Sequence, residues 1–527
     1  MSRSHGPLAT LSRVRLGWSV ERQHARPTAP VQAVARWIPS LDTAWLAVCV
    51  AYPFVVLNWD SLAADDGDLW WTLALGRAVW TTGGLPPHDP LAFTPTGEPF
   101  LYAQWLAGLL LYGAYRWGGF ELLLVLRAAL VAATFALLYH GSRRAGAAPA
   151  VAGLCTLLAL PLVNVGLALR PQLFALVPFV LYLEATRHPE AGGRWRRLLP
   201  LAMVFWANVH GSFLLGLALV ALALVARVGE AGRREGPRAV LRDVATRRLT
   251  LLLALSTVAP LATPYGLGLV HYLRMYLLTN PSHVGLGGLL TEWVPTSLAT
   301  PGGPAFFLSL AALAAALYSS RQRLTAAELL RLGIFAALGL RWIRGVVWWG
   351  LVLPAPLAGA LQSWWTGRPV GAAPRGRPLL NALVVGAAVT ASVASLPWWR
   401  PSYPLPTPPL LTPSPLVAAA DWLVEQPAPV RPFHYLAWGP YLAWRLERPV
   451  FADGRYEAHP REVFADYLAV SVAAPGWEER LHTYGVDGLV LSRAAQAPLV
   501  RAVEAAPGWQ AVYADRDLVV YRRTAQP

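Results

Sequence analysis

The sequence predicts an α-helical polytopic membrane protein of about ten to twelve transmembrane helices, followed by a small C-terminal α/β domain. Three observations carry that expectation. Of the 527 residues, 55% are hydrophobic and only 14% charged. Apolar runs near the length of a bilayer span recur at 41–58, 101–117, 120–140, 148–168, 171–187, 198–228, 249–271, 304–319, 324–340, 345–361 and 378–396. Beyond residue 400 the long runs stop, and short β-like and helix-like segments alternate.

Residues 1–40 carry six Arg and one Glu. No small-residue cleavage site follows the next apolar run, so it reads as a first membrane helix rather than a signal peptide, behind a cytoplasmic tail. Every positive side chain is Arg, and the net charge is +15. The Arg clusters punctuate apolar runs, which the positive-inside rule explains and nucleic-acid binding does not. Cys49 and Cys155 both fall inside apolar runs, which points to packing rather than to a disulfide framework or a thiol metal site.

The basic connections are Arg143/Arg144, Arg187 with Arg194, Arg196 and Arg197, the stretch 227–248, Arg321/Arg323, and Arg368/Arg375/Arg377. One crossing per run would leave the first two clusters outside. If 101–140 makes one net crossing and 198–228 is a hairpin turning at "NVHGS", all of them become cytoplasmic, and the first half of the hairpin is a short, partly embedded helix. The outward segments are then the loop 59–100, the turns around Arg170 and His210, the loop 272–303, the turn "LRWIRG" and residues 400–527.

In the loop 59–100 six acids face a single Arg, Arg77. Within it, "GDLWWTLALGRAVW" spaces Leu69, Trp70, Leu73 and Ala74 as an amphipathic helix lying along the membrane. The stretch "PSYPLPTPPLLTPSPL", 401–416, reads as an extended Pro-rich linker. The α/β domain then occupies 417–527 and lacks a glycine-rich phosphate-binding loop.

The outward residues define the candidate chemistry. Asp65, Asp66 and Asp68 crowd at the membrane exit, so either one carboxyl has a raised pKa or the group holds a divalent cation, and a polar acidic loop is the plainer alternative. Arg170 precedes Pro171 at a break in the apolar run, where a charge needs an acidic or phosphate partner. Arg341 and Arg344, three apart, would share a face if helical and grip one phosphate; two headgroup-snorkelling arginines are the alternative. A lone His such as His210 at this turn is more often structural than catalytic. Glu292 suits an Arg partner or a sugar hydroxyl. His271 and His283 lack the spacing of a zinc site.

The segments "ADDGDLWWTLALGRAVWTTGGLPPHDPLAFTPTGEPF", "QWL", "LRPQLF", "WANVHGSFLLG", "TEWVP" and "VFADGRYE" together resemble bacterial multi-spanning membrane proteins related to the GT-C superfamily of glycosyltransferases, which use polyprenyl-phosphate sugars. The likeness runs over residues 41–520. It implies a GT-C-like membrane domain over 41–400 in the bacterial cytoplasmic membrane, with the 417–527 domain outside. It also implies inverting transfer of a sugar from the lipid-linked donor to a glycan, lipid or protein acceptor. Asp66 and Asp68 inherit the catalytic role, as base or as ligands of a Mg or Mn ion. Arg170, Arg341 and Arg344 are the expected contacts to the lipid phosphate, and Gln172, His210 and Glu292 complete the substrate-binding set. Two positions depart from the group's pattern: Thr72 stands where His is frequent, and Gln104 where an acid often precedes "WL". A non-catalytic scaffold or assembly partner in cell-envelope biogenesis is the competing reading. A transporter is disfavoured by the lack of paired inverted repeats.

Overall fold

The computed structural model describes residues 39–524 except 97–99, 279–290, 321–322, 367–376, 403–409, 427–429 and 456–457. The Arg-rich tail, the middle of the Pro-rich linker, His283, Arg321, Arg368 and Arg375 lie outside the described residues.

Helix α1, Leu41–Asn58, is capped by Ser40, whose hydroxyl accepts from the Thr43 amide at 3.1 Å. Helix α2, Gly67–Thr82, belongs to the acidic loop and ends at left-handed Gly83. Helix α3, Trp105–Arg144, runs for 40 residues and is broken at Gly118 and Gly119, where Gly119 has φ 63° and ψ −159°, a conformation open to glycine alone. The two apolar runs 101–117 and 120–140 are therefore one kinked rod. Next come α4 (Pro149–Gly166, three consecutive helical pieces), α5 (Leu173–Arg187), α6 (Leu199–Val209), α7 (Phe213–Glu235) and α8 (Val244–Leu261, closed by a final 3-10 turn). The expected hairpin at "NVHGS" is α6 and α7, and α6 has only 11 residues.

Helices α9 (Gly268–Leu278), α10 (Gly303–Ser319), α11 (Ala326–Arg341), α12 (Ile343–Val352), α13 (Pro354–Thr366) and α14 (Pro378–Ala394) complete the membrane region. Among the described residues five helices, α1, α3, α4, α7 and α8, are long and apolar enough to cross a membrane, and α12 with α13, bent by 50°, makes a sixth. The remaining apolar runs form shorter helices, so the chain is a multi-pass membrane protein in which several runs fall short of a full span.

Charge sorts along these helices. Helices α3 and α5 run from Gln104 and Gln172 at one end to Arg144 and Arg187 at the other. At that far end Glu184 pairs with Arg187 at 2.9 Å and Arg144 at 3.8 Å, and Arg227 reaches Glu190 at 3.6 Å. The acidic loop sits at the opposite end.

The C-terminal domain has helices α15 (Pro415–Val424), α16 (Gly439–Leu446), α17 (Arg461–Ser471), α18 (Trp477–Thr483) and α19 (Ala497–Ala505) around four strands, β1 (Pro432–His434), β2 (Gly488–Ser492), β3 (Trp509–Ala514) and β4 (Leu518–Arg523). The sheet order is β1-β2-β4-β3, with β1 parallel to β2 and the other pairs antiparallel. Alternate strand residues serve two cores. Leu489, Leu491, Val519 and Tyr521 face α17 and α19, whereas Val490, Leu518 and Val520 join α15, α16, α2 and the membrane helices in one continuous apolar cluster.

Helix α2 differs from expectation for that reason. Leu69, Trp70, Leu73 and Ala74 are buried, but so are Trp71, Thr72, Leu75, Gly76 and Val79 on the other faces. Protein covers the helix: α3 lies along one side and α16 along the other, with Trp70 packed edge-on to Tyr441 at 4.9 Å. It is a clamped internal helix rather than one floating at the membrane surface. The segment "PVFADG", β-like in sequence, contributes a bridge from Val450 to Ala92 of the acidic loop rather than a strand.

The α2–α3 contact depends on glycine. A β-carbon on Gly76 would lie 2.1 Å from the Gly108 carbonyl oxygen. Gly76→Val should therefore cost about 1–3 kcal/mol and lower the melting temperature of the purified protein, while Gly84→Ala, which meets nothing within 4 Å, leaves it unchanged. Equal melting of the two variants would mean that the helices do not approach this closely.

Candidate active site

The N-terminus of α2, the break before α5, the α6–α7 turn, the segment before α10 and the start of α12 converge on one cavity of about 380 Å³. Its wall on the sixth side is the C-terminal domain, through Tyr435, Leu436, Ala437, Pro440, Gly454 and Arg455. Asp66, Asp68, Arg170, Gln172, His210, Glu292 and Arg344 all line it, with Asp65, Trp71, Gln104 and Trp293.

An ion network forms the floor. Arg170, 4% exposed, donates from Nη1 to Glu292 Oε1 in a short contact and lies 3.3 Å from Asp68 Oδ2; its Nη2 donates to the Val165 carbonyl at 3.0 Å. Glu292 Oε2 is 3.1 Å from Arg344 Nε, and the Arg344 guanidinium lies over the Trp293 ring at 5.4 Å. Burial works against the Arg170 charge, but Glu292 and Asp68 outweigh it and hold its pKa above the ordinary value. Asp68 also accepts from Trp71 Nε1 at 3.2 Å, and its backbone carbonyl accepts from the Thr72 hydroxyl. The position that departs from the group's His is thus a buried helical hydroxyl.

Asp66 stands apart from this network. It is partly open to the cavity, yet protein surrounds it, and burial followed by repulsion from Asp68 pushes its pKa up to about 7 against the pull of Arg170 and Arg127. A carboxyl so poised exchanges a proton near neutrality. Asp68 is instead engaged by an arginine and an indole. The two acids that look alike in "DDGDL" have different environments.

His210 receives the Ser212 backbone amide on Nδ1 at 3.1 Å and the Ser212 hydroxyl at 2.7 Å, so the network assigns the proton to Nε2. Burial, with Arg344 and Arg170 adding to it, drops its pKa to about 3, which makes the ring a neutral donor at the cavity wall. Gln172, 1% exposed, has neither amide atom hydrogen-bonded among the described residues. A buried, unpaired amide at a cavity is ready for a polar ligand.

Arg341 does not join this site. Trp342 is extended, with φ −147° and ψ 138°, and ends α11 before α12 begins. The pair Arg341/Arg344 therefore shares no helical face: Arg344 enters the cavity, and Arg341 is exposed with its guanidinium over the Trp342 ring at 5.1 Å. A two-arginine grip does exist, but it is Arg170 with Arg344, drawn together by Glu292.

Residues missed from the sequence come from the C-terminal domain. Arg455 donates to Asp89 of the acidic loop at 2.7 Å and to Asp453 at 2.8 Å, all three side chains being almost fully enclosed. Burial raises the Asp453 pKa, and Arg455 and His459 overcome this to leave it below the ordinary value. Beside this triad Phe93 donates to the Val450 carbonyl at 3.0 Å and Thr94 to that of Phe451 at 2.6 Å. The acidic loop is thereby stitched to the domain that roofs the cavity. The motif "VFADGRYE" held Arg455, but only the fold shows that it reaches the site; Tyr456 and Glu457 lie outside the described residues.

As for a divalent cation, Asp68 already serves Arg170 and Trp71, and among the described residues no three His, Cys, Asp or Glu side chains gather to hold one. Asp66 and Asp68, which line the cavity, are the carboxylates that could contact one.

No protein-family model and no curated protein matches the chain. In structure it is similar to the oligosaccharyltransferase AglB of the archaeon Archaeoglobus fulgidus. The similarity to that enzyme in complex with an inhibitory peptide and a dolichol-phosphate has a TM-score of 0.53 at 12% identity, over 91% of this chain and 74% of the other. For the apo form the TM-score is 0.51 at 11% identity, with the same coverage. The mycobacterial arabinofuranosyltransferase AftD, as its R1389S mutant, aligns with a TM-score of 0.50 at 16% identity over 92% of this chain and 42% of its own. Both proteins are glycosyltransferases of the GT-C superfamily, and the chain has the GT-C fold.

The Arg455 triad offers a direct check. Arg455→Met strands two buried carboxylates and should destabilise the fold by about 3–5 kcal/mol, read as a lower melting temperature and faster proteolysis within 400–416. Unchanged melting and proteolysis would show that the triad does not hold the roof in place.

Proposed function

We propose that the protein is a membrane glycosyltransferase that moves a sugar from a polyprenyl-phosphate donor to an extracytoplasmic acceptor, with inversion at the anomeric carbon. The observation that carries this reading is Asp66, a carboxyl with a pKa of about 7, in a cavity floored by Arg170 and Arg344. The GT-C fold and the dolichol-phosphate bound to AglB supply the donor class by analogy.

In the proposed reaction the acceptor hydroxyl oxygen bonds to the anomeric carbon as its proton passes to Asp66, while the bond from that carbon to the phosphate oxygen breaks. The electron pair leaves on the polyprenyl phosphate. Arg170 and Arg344 are the contacts for its growing charge, in a site where little water screens them. Asp68 orients Arg170. The neutral His210 Nε2–H and the Gln172 amide hydrogen-bond the sugar. Trp71 and Trp293 present ring surface to it. No step requires a metal.

The arrangement of charge supports the orientation. Basic residues gather at the helix ends remote from the cavity, and the positive-inside rule supports an extracytoplasmic cavity and C-terminal domain. In a bacterium the membrane would be the cytoplasmic one.

Asp66→Asn should abolish donor turnover, a loss of at least about 10²-fold, with the protein still folded. Wild-type turnover should rise with pH through about 7, since the base acts only when deprotonated. The folded pKa lies above the unfolded value, so ionising Asp66 costs stability as pH rises from about 4 through 7. Asp66→Asn should consequently melt higher than wild type at pH 8 and equally at pH 4. Arg344→Gln should lower kcat by about 10- to 10³-fold. Full complementation of a deletion strain by Asp66→Asn would remove the catalytic reading and favour a scaffold.

A further inference from the structure

A second cavity, of about 280 Å³, lies at the other end of α2. Tyr115, Phe120, Tyr441 and Trp444 give it aromatic walls, and two ion pairs stand at its rim: Arg77 with Glu447 at 2.7 Å and Arg445 with Asp421 at 2.7 Å. The Arg77 guanidinium is held over the Trp444 ring at 4.6 Å.

Simple core packing does not account for this lining. Tyr441 is 3% exposed, yet its hydroxyl has no hydrogen bond among the described residues, and the Tyr115 hydroxyl has none either. A hydroxyl on a side chain as enclosed as Tyr441 ordinarily finds a partner, and the half-buried Tyr115 opens on the same space. Here they face a space whose rim holds two carboxylates and two guanidinium groups, all planar and fit for paired hydrogen bonds. The rim charges are already paired with each other, but an acyl chain would leave the two phenol hydroxyls without a partner. A ligand that matches ring surface together with dense donors and acceptors has apolar C–H faces edged by hydroxyls, which is the chemistry of a carbohydrate chain.

The two cavities are adjacent. Pro440 lines the first and Tyr441 the second, on the same helix α16. Along α2, Asp66 and Arg77 are separated by about 16 Å at the rise of an α-helix. We propose that the second cavity is a remote subsite for an oligosaccharide acceptor, which it anchors while the end of the chain lies at Asp66. The proposal rests on the glycosyltransferase reading for the identity of the acceptor. Binding at such a distance would raise the specificity for long acceptors over short ones, because energy gained away from the reacting bond serves to hold it in place.

The test uses full-length protein in detergent and a panel of neutral oligosaccharides of three to six units, mannan-, galactan- and arabinan-derived, with binding followed by saturation-transfer NMR and calorimetry. Wild type should bind at least one. The double variant Tyr441→Phe/Asp421→Asn, which keeps the packing volume, should bind it about tenfold or more weakly, as expected for two lost hydrogen bonds, and should keep wild-type turnover on a single-sugar acceptor. Asp66→Asn should do the reverse, losing turnover and keeping oligosaccharide binding. A wild type that binds no oligosaccharide at millimolar concentration overturns the subsite, as does binding that the double variant leaves intact. Occupation of the cavity by detergent or lipid chains that no oligosaccharide displaces overturns it too. Wild-type binding that the double variant weakens, in a protein without any donor turnover, sinks the glycosyltransferase reading and leaves the carbohydrate subsite standing.

Discussion

Arg170 carries its charge where almost no water reaches it, at a chain break between two apolar helices. A guanidinium so placed has to be matched by anions. The match comes from Asp68 at the start of α2 and Glu292 before α10, segments far apart in sequence and held to Arg170 by direct ion pairs. Glu292 then brings in Arg344 from α12. Satisfying one buried charge thus fixes the relative positions of four segments and creates the floor of the cavity. Asp66, two positions before Asp68, is left with burial and a neighbouring negative charge, which push its pKa up.

The network also has a filling role. Were Arg170 and Arg344 to face each other without Glu292, two cations would repel across the cavity. Glu292 holds them together, so the guanidinium groups are already positioned when an anion arrives.

Much of this was legible in the sequence because it is local or periodic. The hairpin at "NVHGS" was visible through charge alternation, and most of the cavity residues through the polar positions stranded in apolar runs. The features that escaped depend on long-range contact. The pairing of Arg341 with Arg344 assumed a continuous helix, and no local signal announces that Trp342 turns extended. Helix α2 has the period of a surface helix, but its polar-looking faces are small residues that admit α3 closely, as at Gly76 and Gly108. Burial from a second side by α16, some 370 positions away, has no trace in a window of that length. Arg455 was hidden for the same reason: its partner Asp89 belongs to a different part of the chain.

The continuous apolar cluster running from the membrane helices through α2 and α16 to Val490, Leu518 and Val520 bears on modularity. A proline-rich linker invites the view that the domain beyond it can be exchanged or deleted. Here the boundary in sequence is not a boundary in packing. Removing residues 417–527 would bare Trp70 and its neighbours on α2 and open the roof of the site, so the membrane part and the C-terminal part must be inherited, expressed and engineered as one unit.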